Sequence, residues 1–327
     1  MPVTLVLFLI FVYVIGSITY ICWFRGVTRY ASVTEYLRKS WFIFAPLNCL
    51  LYIFTQSRAR KSIIDTNDFK ELAEIREHWQ TIREEAVSLY QQQYFESVNN
   101  PNSPAYYDLG FRTFFKYGWS KFYLKWYGYT HDSAKKLCPN TVKILEKIPS
   151  VNGAMFSILP IGSKLTRHAD PMACSLRYHL GLATPNSNNC FINIDGTSYS
   201  WRDGEAFLFD ETYLHFAKND SDQYRLILMC DIERPMNFIG RFVNLLYKQL
   251  VKLTIVPNTT EDKRGFANIL FSRLAPIFSK TRQLRDSNKN LYLLIKYTIN
   301  LTLAVLVVSL IAGILQALYR IPSLFLS

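Results

Sequence analysis

Residues 151–232 break into short runs of β-branched and aromatic residues that are separated by turn signals. The runs are AMFSIL, SLRYHLGL, CFINI, TSYSW, AFLF, YLHFA and YRLILMCDI. Asp195-Gly196 lies between two of them, and this dipeptide is a strong signal for a β-hairpin. Seven or eight short strands within about 80 residues predict a jelly roll or a small barrel.

The segments before this block have the texture of helices. Residues 62–98 interleave charged and apolar side chains without Gly or Pro, which predicts helix. Residues 132–147 predict a second helical stretch, broken at Cys138-Pro139. The fold class is therefore predicted as α+β, with a double-stranded β-helix (jelly-roll) core over residues 151–235 after a helical, membrane-proximal region over residues 26–150.

Two apolar runs without any charged residue lie near the ends, at residues 2–24 and 297–319. Each is long enough to cross a bilayer as a helix. Basic residues follow the first run and precede the second, so the positive-inside rule places everything between them in the cytoplasm. The sequence thus predicts an N-terminal transmembrane anchor over residues 1–25 and a C-terminal transmembrane helix over residues 297–319. A buried globular helix is the alternative for the second run.

The region between the β block and the second apolar run is basic and amphipathic. Arg241, Lys248 and Lys252 share one helical face, and the opposite side is apolar. This pattern fits a helix in the interface of an anionic leaflet or, equally, a helix packed on its own domain. Residues 236–296 are accordingly predicted as basic interfacial helices. The short apolar stretch 41–54 predicts either a membrane-dipping segment or a buried helix.

The net charge of +12 points to a phosphate-bearing partner, or to the basic surplus of a cytoplasmic membrane face. Intrinsic disorder is excluded because half of the residues are hydrophobic. The aromatic and basic stretch 105–130 could stack nucleobases, but it fits core and membrane-proximal packing better, so no nucleic-acid partner is predicted. The six cysteines form no C-x-x-C motif and are predicted as reduced thiols.

An H-x-D motif inside the β block carries the first chemical signal. His168 and Asp170 are two residues apart, which places their side chains on one face of a strand. His215 follows 47 residues later. Two imidazoles and one carboxylate are the ligand set of non-haem Fe(II) oxygenases. Asp210 and Asn219 are candidates to orient these ligands, although an ordinary turn or cap role is equally open for Asp210 and is favoured for Asn219.

Further polar residues occur on apolar strands of the same block. Arg225 lies among Leu and Ile, ten residues after His215, and a buried guanidinium needs an anion. A dicarboxylate cosubstrate would supply one. Arg177 and His179 share a strand face, and Ser157 is a lone polar residue in AMFSIL. Satisfied core polar groups and surface ion pairs are the alternative explanation for each of them.

The segment 154–236 resembles the aspartyl/asparaginyl β-hydroxylase family of Fe(II)- and 2-oxoglutarate-dependent dioxygenases, and most closely its bacterial inner-membrane lipid A hydroxylases. The resemblance is carried by FSILPIGSKLTRHAD, SLRYHLGL, WRDGEAFLFDETYLHFAKN and YRLILMCDIERPM. It implies one set of iron ligands: His168, Asp170 and His215. It also implies a 2-oxoglutarate pocket: Ser157, Arg177, His179 and Arg225. Animal peptidyl members have a glycine where Asp170 stands, which favours the lipid-acting branch.

The resemblance implies that the enzyme uses Fe(II), 2-oxoglutarate and O₂ to hydroxylate an acyl chain of lipid A, at C2 of a secondary chain. The expected partners are lipid A or a related phosphorylated glycolipid, together with anionic membrane lipids. The expected location is the bacterial inner membrane, with the catalytic domain facing the cytoplasm. Two alternatives remain open: a peptidyl aspartyl/asparaginyl β-hydroxylase and a jelly roll that binds metal or lipid without turnover.

Overall fold

A computed structural model describes residues 3–295, 297–298 and 302 of the chain. The strands are β1 (Ile63–Ile64), β2 (Ser120–Trp126), β3 (Tyr129–Thr130), β4 (Val151–Leu159), β5 (Lys164–His168), β6 (Ser175–Ala183), β7 (Cys190–Ile194), β8 (Thr197–Ser200), β9 (Ala206–Phe209), β10 (His215–Asn219) and β11 (Arg225–Glu233). They form a seven-stranded sheet, β1-β9-β6-β11-β4-β2-β3, and a four-stranded sheet, β5-β10-β7-β8. All strand pairs are antiparallel.

Helices cover most of the remaining described chain. They are α1 (Val3–Thr19), α2 (Val33–Lys39), α3 (Ala45–Phe54), α4 (Ala73–Glu77), α5 (Trp79–Gln91), α6 (Arg112–Phe115), α7 (Asp132–Leu137), α8 (Pro139–Glu146), α9 (Phe238–Lys252) and α10 (Phe266–Ser287). The mixture of helices with two antiparallel sheets agrees with the predicted α+β class and its jelly roll.

Every apolar run of the β block contributes to a strand. Asp195 and Gly196 connect β7 to β8 as the hairpin signal predicted, and both have positive φ, at 50° and 93°. This is the left-handed backbone of a two-residue hairpin turn, which Asp tolerates and Gly favours. The pattern of short runs therefore predicted most of the sheet correctly.

The two faces of β6 show how the sheet builds a core and a site together. Leu176, Tyr178 and Leu180 are buried in the core beneath the helices, where α5 packs against this strand. Arg177 and His179 point from the opposite face into the space between the two sheets. The alternation predicted from the sequence is thus confirmed, and it turns the polar residues toward the interior of the jelly roll.

One helical region differs from the sequence-based expectation, and the aromatic stretch agrees with the core packing expected for it. The stretch 62–98 is helical only in part, because Ile63 and Ile64 leave it to pair with Phe209 and Leu208 of β9. The aromatic stretch 105–130 contains β2, which pairs with β4. Phe122, Tyr123 and Trp126 of β2 are buried in the core, and the break between α7 and α8 falls at Cys138 as predicted.

No helix in the described part of the chain is long and apolar enough to cross a membrane. α1 has 17 residues and continues into a π-helical turn, Tyr20–Phe24. The predicted N-terminal transmembrane helix is therefore not supported. The predicted span 297–319 lies outside the described residues except for positions 297, 298 and 302. The apolar stretch 41–54 contains α3, which buries Ala45, Asn48 and Leu51 against the rest of the fold.

An ion-pair cluster fastens the N-terminal segment to the jelly roll. Arg25 pairs with Asp210 at 2.8 Å, and its guanidinium lies between the rings of Tyr52 and Tyr213, 3.7 and 3.9 Å from their centres. Arg234 binds the same carboxylate at 2.7 Å. These two cations hold the pKa of Asp210 well below its usual value despite complete burial. All six cysteines are free thiols, as predicted.

Candidate metal centre

His168, Asp170 and His215 come together where β5 pairs with β10. His168 is the last residue of β5 and lies directly opposite His215, the first residue of β10. One ligand atom from each of the three side chains lies within 4.8 Å of the others. Asp170 is beyond the end of β5, so the expectation that a single strand presents both motif residues is wrong. A turn delivers the carboxylate instead, and the three groups could hold one metal ion.

Backbone carbonyls fix the orientation of both imidazoles. His168 Nδ1 is 2.7 Å from the carbonyl oxygen of Thr166, and His215 Nδ1 is 2.9 Å from that of Tyr213. Because a carbonyl can only accept, each Nδ1 carries the proton and each Nε2 keeps its lone pair for a metal. Burial holds the pKa of His215 well below its usual value, so this imidazole is neutral.

Arg177 positions the carboxylate of the triad. Its Nη2 donates to Asp170 Oδ2 at 2.9 Å, while Asp170 Oδ1 lies 3.5 Å from His168 Nε2. The same guanidinium also pairs with Glu211 and, at 3.3 Å, with Asp231. Three protein carboxylates therefore surround Arg177, and one oxygen of Asp170 is left facing the histidines.

Glu211 and Asp231 were not singled out from the sequence. Burial raises the pKa of Glu211 to about 7 and that of Asp231 to about 6, against the opposing effect of Arg177. Asp231 could have been found, because it shares a face of β11 with Arg225 at even spacing. Glu211 lies in the irregular turn after β9, where no periodic pattern marks its direction.

Arg177→Met should weaken metal binding by about tenfold, because residues that hold a ligand in place typically contribute 10–100-fold in metal affinity. The anaerobic dissociation constant for Fe(II), measured with the purified protein, checks this. Arg202→Met is the matched control on a neighbouring loop, and it should leave the constant unchanged. An unaltered constant in Arg177→Met would contradict the positioning role.

Arg225 is the second centre of charge in the same cavity. It is 2% exposed, its Nη2 donates to Ser157 Oγ at 3.1 Å, and its Cζ lies 4.5 Å from the ring centre of Trp201. It has no acidic partner among the described residues, and its Nε has no hydrogen-bond partner there. Burial lowers its pKa to about 10, which still leaves the side chain a cation at neutral pH. A buried unpaired cation of this kind is costly unless an anion binds it.

His179 adds a neutral donor beside this cation. Trp201 Nε1 donates to His179 Nδ1 at 3.3 Å, so the proton of the imidazole is on Nε2. That Nε2 is buried and has no partner among the described residues. Burial and the nearby Arg225 hold the pKa of His179 well below its usual value. The imidazole is therefore a neutral N–H donor. Trp201, which orients it, was not predicted.

All seven side chains predicted for the site line one cavity between the two sheets. They are Ser157, His168, Asp170, Arg177, His179, His215 and Arg225. Apolar residues close the cavity around them: Phe111, Phe114, Trp119, Leu165, Ile192, Phe209 and Met229. The arrangement places a candidate metal site and an anion site in a single apolar enclosure.

Asp210 and Asn219, the two residues considered for orienting the metal ligands, make contacts elsewhere. The carboxylate of Asp210 accepts from Arg25, Arg234 and Thr212, whereas the histidines bond to carbonyls. Asn219 Nδ2 donates to three backbone carbonyls around the neighbouring turns, those of Leu159, Pro160 and Gln223, at 3.1, 3.2 and 2.8 Å. The orienting role is not seen for Asp210, and Asn219 has the turn role that was favoured for it.

The sequence of this chain is similar to those of known proteins. Residues 76–235 match the family model described as aspartyl/asparaginyl β-hydroxylase. The ornithine lipid ester-linked acyl 2-hydroxylase of Rhizobium tropici is 32% identical over 197 residues, which cover 59% of this chain and 67% of that protein. The chain belongs to the aspartyl/asparaginyl β-hydroxylase family.

Other members of this β-hydroxylase family share a shorter segment. The human aspartyl/asparaginyl β-hydroxylase is 33% identical over 122 residues, which cover 36% of this chain but 16% of the human protein. Among solved structures, a predicted oxalate decarboxylase from Thermotoga maritima covers 35% of this chain and 80% of its own, at 14% identity and a TM-score of 0.24. A similarity at that level adds nothing to the fold described above.

Proposed function

We propose that this protein is an Fe(II)- and 2-oxoglutarate-dependent dioxygenase that hydroxylates an acyl chain of lipid A. The proposed position is C2 of a secondary acyl chain, and the proposed location is the cytoplasmic face of a bacterial inner membrane. The observation that carries the proposal is the shared cavity, in which a His-Asp-His cluster faces a buried arginine that has no acidic partner in the described part of the chain. A metal-chelating dicarboxylate satisfies both halves of that cavity.

The donor set fits iron. Two neutral imidazoles and one carboxylate leave positions open for a cosubstrate and O₂ in an octahedral ion. His168, Asp170 and His215 would hold the metal, each with its free donor atom already oriented by a hydrogen bond. Arg225 Nε and His179 Nε2 are buried and have no hydrogen-bond partner among the described residues, so they are suitable donors to the carboxylate oxygens of 2-oxoglutarate.

Bound together, iron, 2-oxoglutarate and O₂ supply the oxidising power to hydroxylate an unactivated C–H bond, with release of succinate and CO₂. The chain's own residues bind, orient and exclude water. Arg225 and Ser157 bind the distal carboxylate of the cosubstrate. His179 Nε2 would donate a hydrogen bond to a carboxylate oxygen of the cosubstrate, and the imidazole would remain neutral. Phe111 and Phe114 keep the cavity apolar, which suits a hydrocarbon substrate.

The surface of α9 supports a lipid substrate. Gly240 and Asn244 are buried, whereas the opposite face exposes a row of large apolar side chains: Phe238, Ile239, Phe242, Leu245, Leu246 and Leu250. Arg241 and Lys252 lie on the same helix. One face of α9 packs on its own domain, which was one alternative for this segment. The exposed face would fit the interface of an anionic leaflet, which was the other. An acyl chain is also the substrate named for the Rhizobium relative.

Mass spectrometry of lipid A tests the proposal. Lipid A from a bacterium without this modification should gain one oxygen atom when the intact protein is expressed. His168→Ala should abolish the gain, and the exposed His78→Ala should preserve it. Tandem spectra then place the hydroxyl group on a chain and a carbon.

Two other results would redirect the proposal. Succinate release from 2-oxoglutarate without modified lipid A would move the substrate to another lipid or to a peptide. Iron-loaded protein that releases no succinate with any lipid or peptide would favour a binding protein without turnover.

A further inference from the structure

A second cavity lies where α1 and α3 pack against the turn that follows β9, and its volume is about 490 Å³. Arg25, Arg60 and Arg234 line it, and Asp210 is its one acidic lining residue among those described. Three positive charges against one negative charge leave a surplus of two. We call this space the arginine cavity.

Two arginines of the arginine cavity have an N–H group that makes no hydrogen bond within the described chain. Arg25 and Arg234 are 8% and 1% exposed, and the Nε of each has no hydrogen-bond partner in the described chain. Arg60 is exposed and donates to the backbone carbonyls of Thr55 and Ile53, at 2.8 and 3.2 Å. It pairs with no carboxylate among the described residues. Buried guanidinium N–H groups need acceptors, so the cavity fits an anion.

The rim of the arginine cavity indicates which kind of anion. Tyr13, Tyr20 and Ile53 line it and are 41%, 45% and 64% exposed. Phe8 and Phe11 of α1, the helix that carries Tyr13, are exposed as well. Tyrosines combine an apolar ring with a polar tip and suit a boundary between water and hydrocarbon. A lipid with a charged headgroup matches this rim better than a small hydrophilic anion does.

Tyr52 links the arginine cavity to the metal centre. Its side chain lines this cavity and also a smaller one that Asp170 borders. The hydroxyl of Tyr52 donates to Thr212 Oγ1 at 3.0 Å, on the turn between β9 and β10. The arginine cavity and the cavity that Asp170 borders therefore share the side chain of Tyr52 as a common wall.

We propose that the arginine cavity binds the phosphate or carboxylate headgroup of the acyl lipid that the metal centre hydroxylates. This inference rests on the proposed function and adds to it the site that positions the substrate. Arg60 is the accessible cation at the mouth, and Arg25 and Arg234 provide the buried positive potential behind it.

Binding of dihexanoyl phosphatidate to the iron-free, full-length protein tests the inference by isothermal titration calorimetry. Arg60→Gln should weaken binding by about tenfold, which corresponds to the loss of one charge-assisted hydrogen bond. Arg60→Lys should retain most of the affinity. Arg58→Gln is the matched control, because Arg58 is an exposed arginine two residues away whose bonds go to Gln56 and Asp68, outside the cavity. Inorganic phosphate should bind at least tenfold more weakly than phosphatidate.

Equal affinities of Arg60→Gln and the unaltered protein, with matching thermal unfolding, would overturn the inference. Inorganic phosphate that binds as tightly as phosphatidate would overturn it too, because the site would then recognise a free anion. Succinate release by the same variants, after they are loaded with Fe(II), separates this inference from the proposed function. Arg60-dependent binding without turnover supports the headgroup site alone, whereas turnover with Arg60-independent binding overturns it and leaves the dioxygenase intact.

Discussion

His215→Ala should lower the affinity for Fe(II) by at least about 100-fold and abolish 2-oxoglutarate turnover, because it removes a metal ligand rather than a supporting residue. His215 Nε2 has its lone pair free, and its Nδ1 is fixed by the carbonyl of Tyr213. Anaerobic titration with Fe(II), followed by succinate release, measures both effects.

The structure offers a matched control for this substitution. His78 is an exposed histidine whose Nδ1 also meets a backbone carbonyl, that of Glu74 at 2.9 Å. His78→Ala should change neither metal affinity nor turnover. Retained iron binding in His215→Ala, with the fold intact by circular dichroism, would show that the metal lies elsewhere.

Arg225→Met should raise the KM for 2-oxoglutarate by about 100-fold, since loss of a buried charge pair in a complex costs roughly 3 kcal/mol. The residue contacts Ser157 and Trp201 but no carboxylate of the described chain, so its charge is available to a ligand. The KM of Arg225→Lys should lie between those of Arg225→Met and the unaltered protein, because an ammonium cannot form the same forked pair with a carboxylate. Succinate release at varied 2-oxoglutarate measures the change, with the exposed Arg83→Met as the control.

The stability of Arg225→Met separates this role from a structural one. A buried charge without a counter-ion destabilises the empty protein, so an apolar replacement of similar length should leave the free energy of unfolding unchanged or raise it by about 1 kcal/mol. Urea denaturation without 2-oxoglutarate gives this value. A marked loss of stability would mean that Arg225 holds the fold together rather than binding a ligand.

Local patterns were enough to predict β4 and β6 to β11, together with seven of the side chains that line the metal cavity. Alternation along β6 and β11 decides which side chains face inward, and it placed Arg177, His179 and Arg225 correctly because both strands are central in the larger sheet. Partners that depend on distant chain segments could not be read in this way. The pairing of β1 with β9 and the contact of Arg25 with Asp210 join positions far apart in sequence.

The charges around Arg177 show the same limit. Its placement on an inward face followed from periodicity, but its partners come from three different segments: the loop after β5, the turn after β9 and the end of β11. The family resemblance implied that Arg177 belongs to the 2-oxoglutarate pocket, whereas folding surrounds its guanidinium with three carboxylates. Arg225, for which the sequence itself predicted an anionic ligand, has no acidic partner among the described residues.

The short turn between β9 and β10 connects the N-terminal segment to His215, a candidate metal ligand. Arg25 packs on the ring of Tyr213, and the carbonyl of Tyr213 holds His215. A shortened chain that starts after Arg25, as a protein chemist would make to gain solubility, loses the group that steadies this turn. We expect such a truncation to bind Fe(II) more weakly than the full chain, and that result would not count against the proposed metal centre.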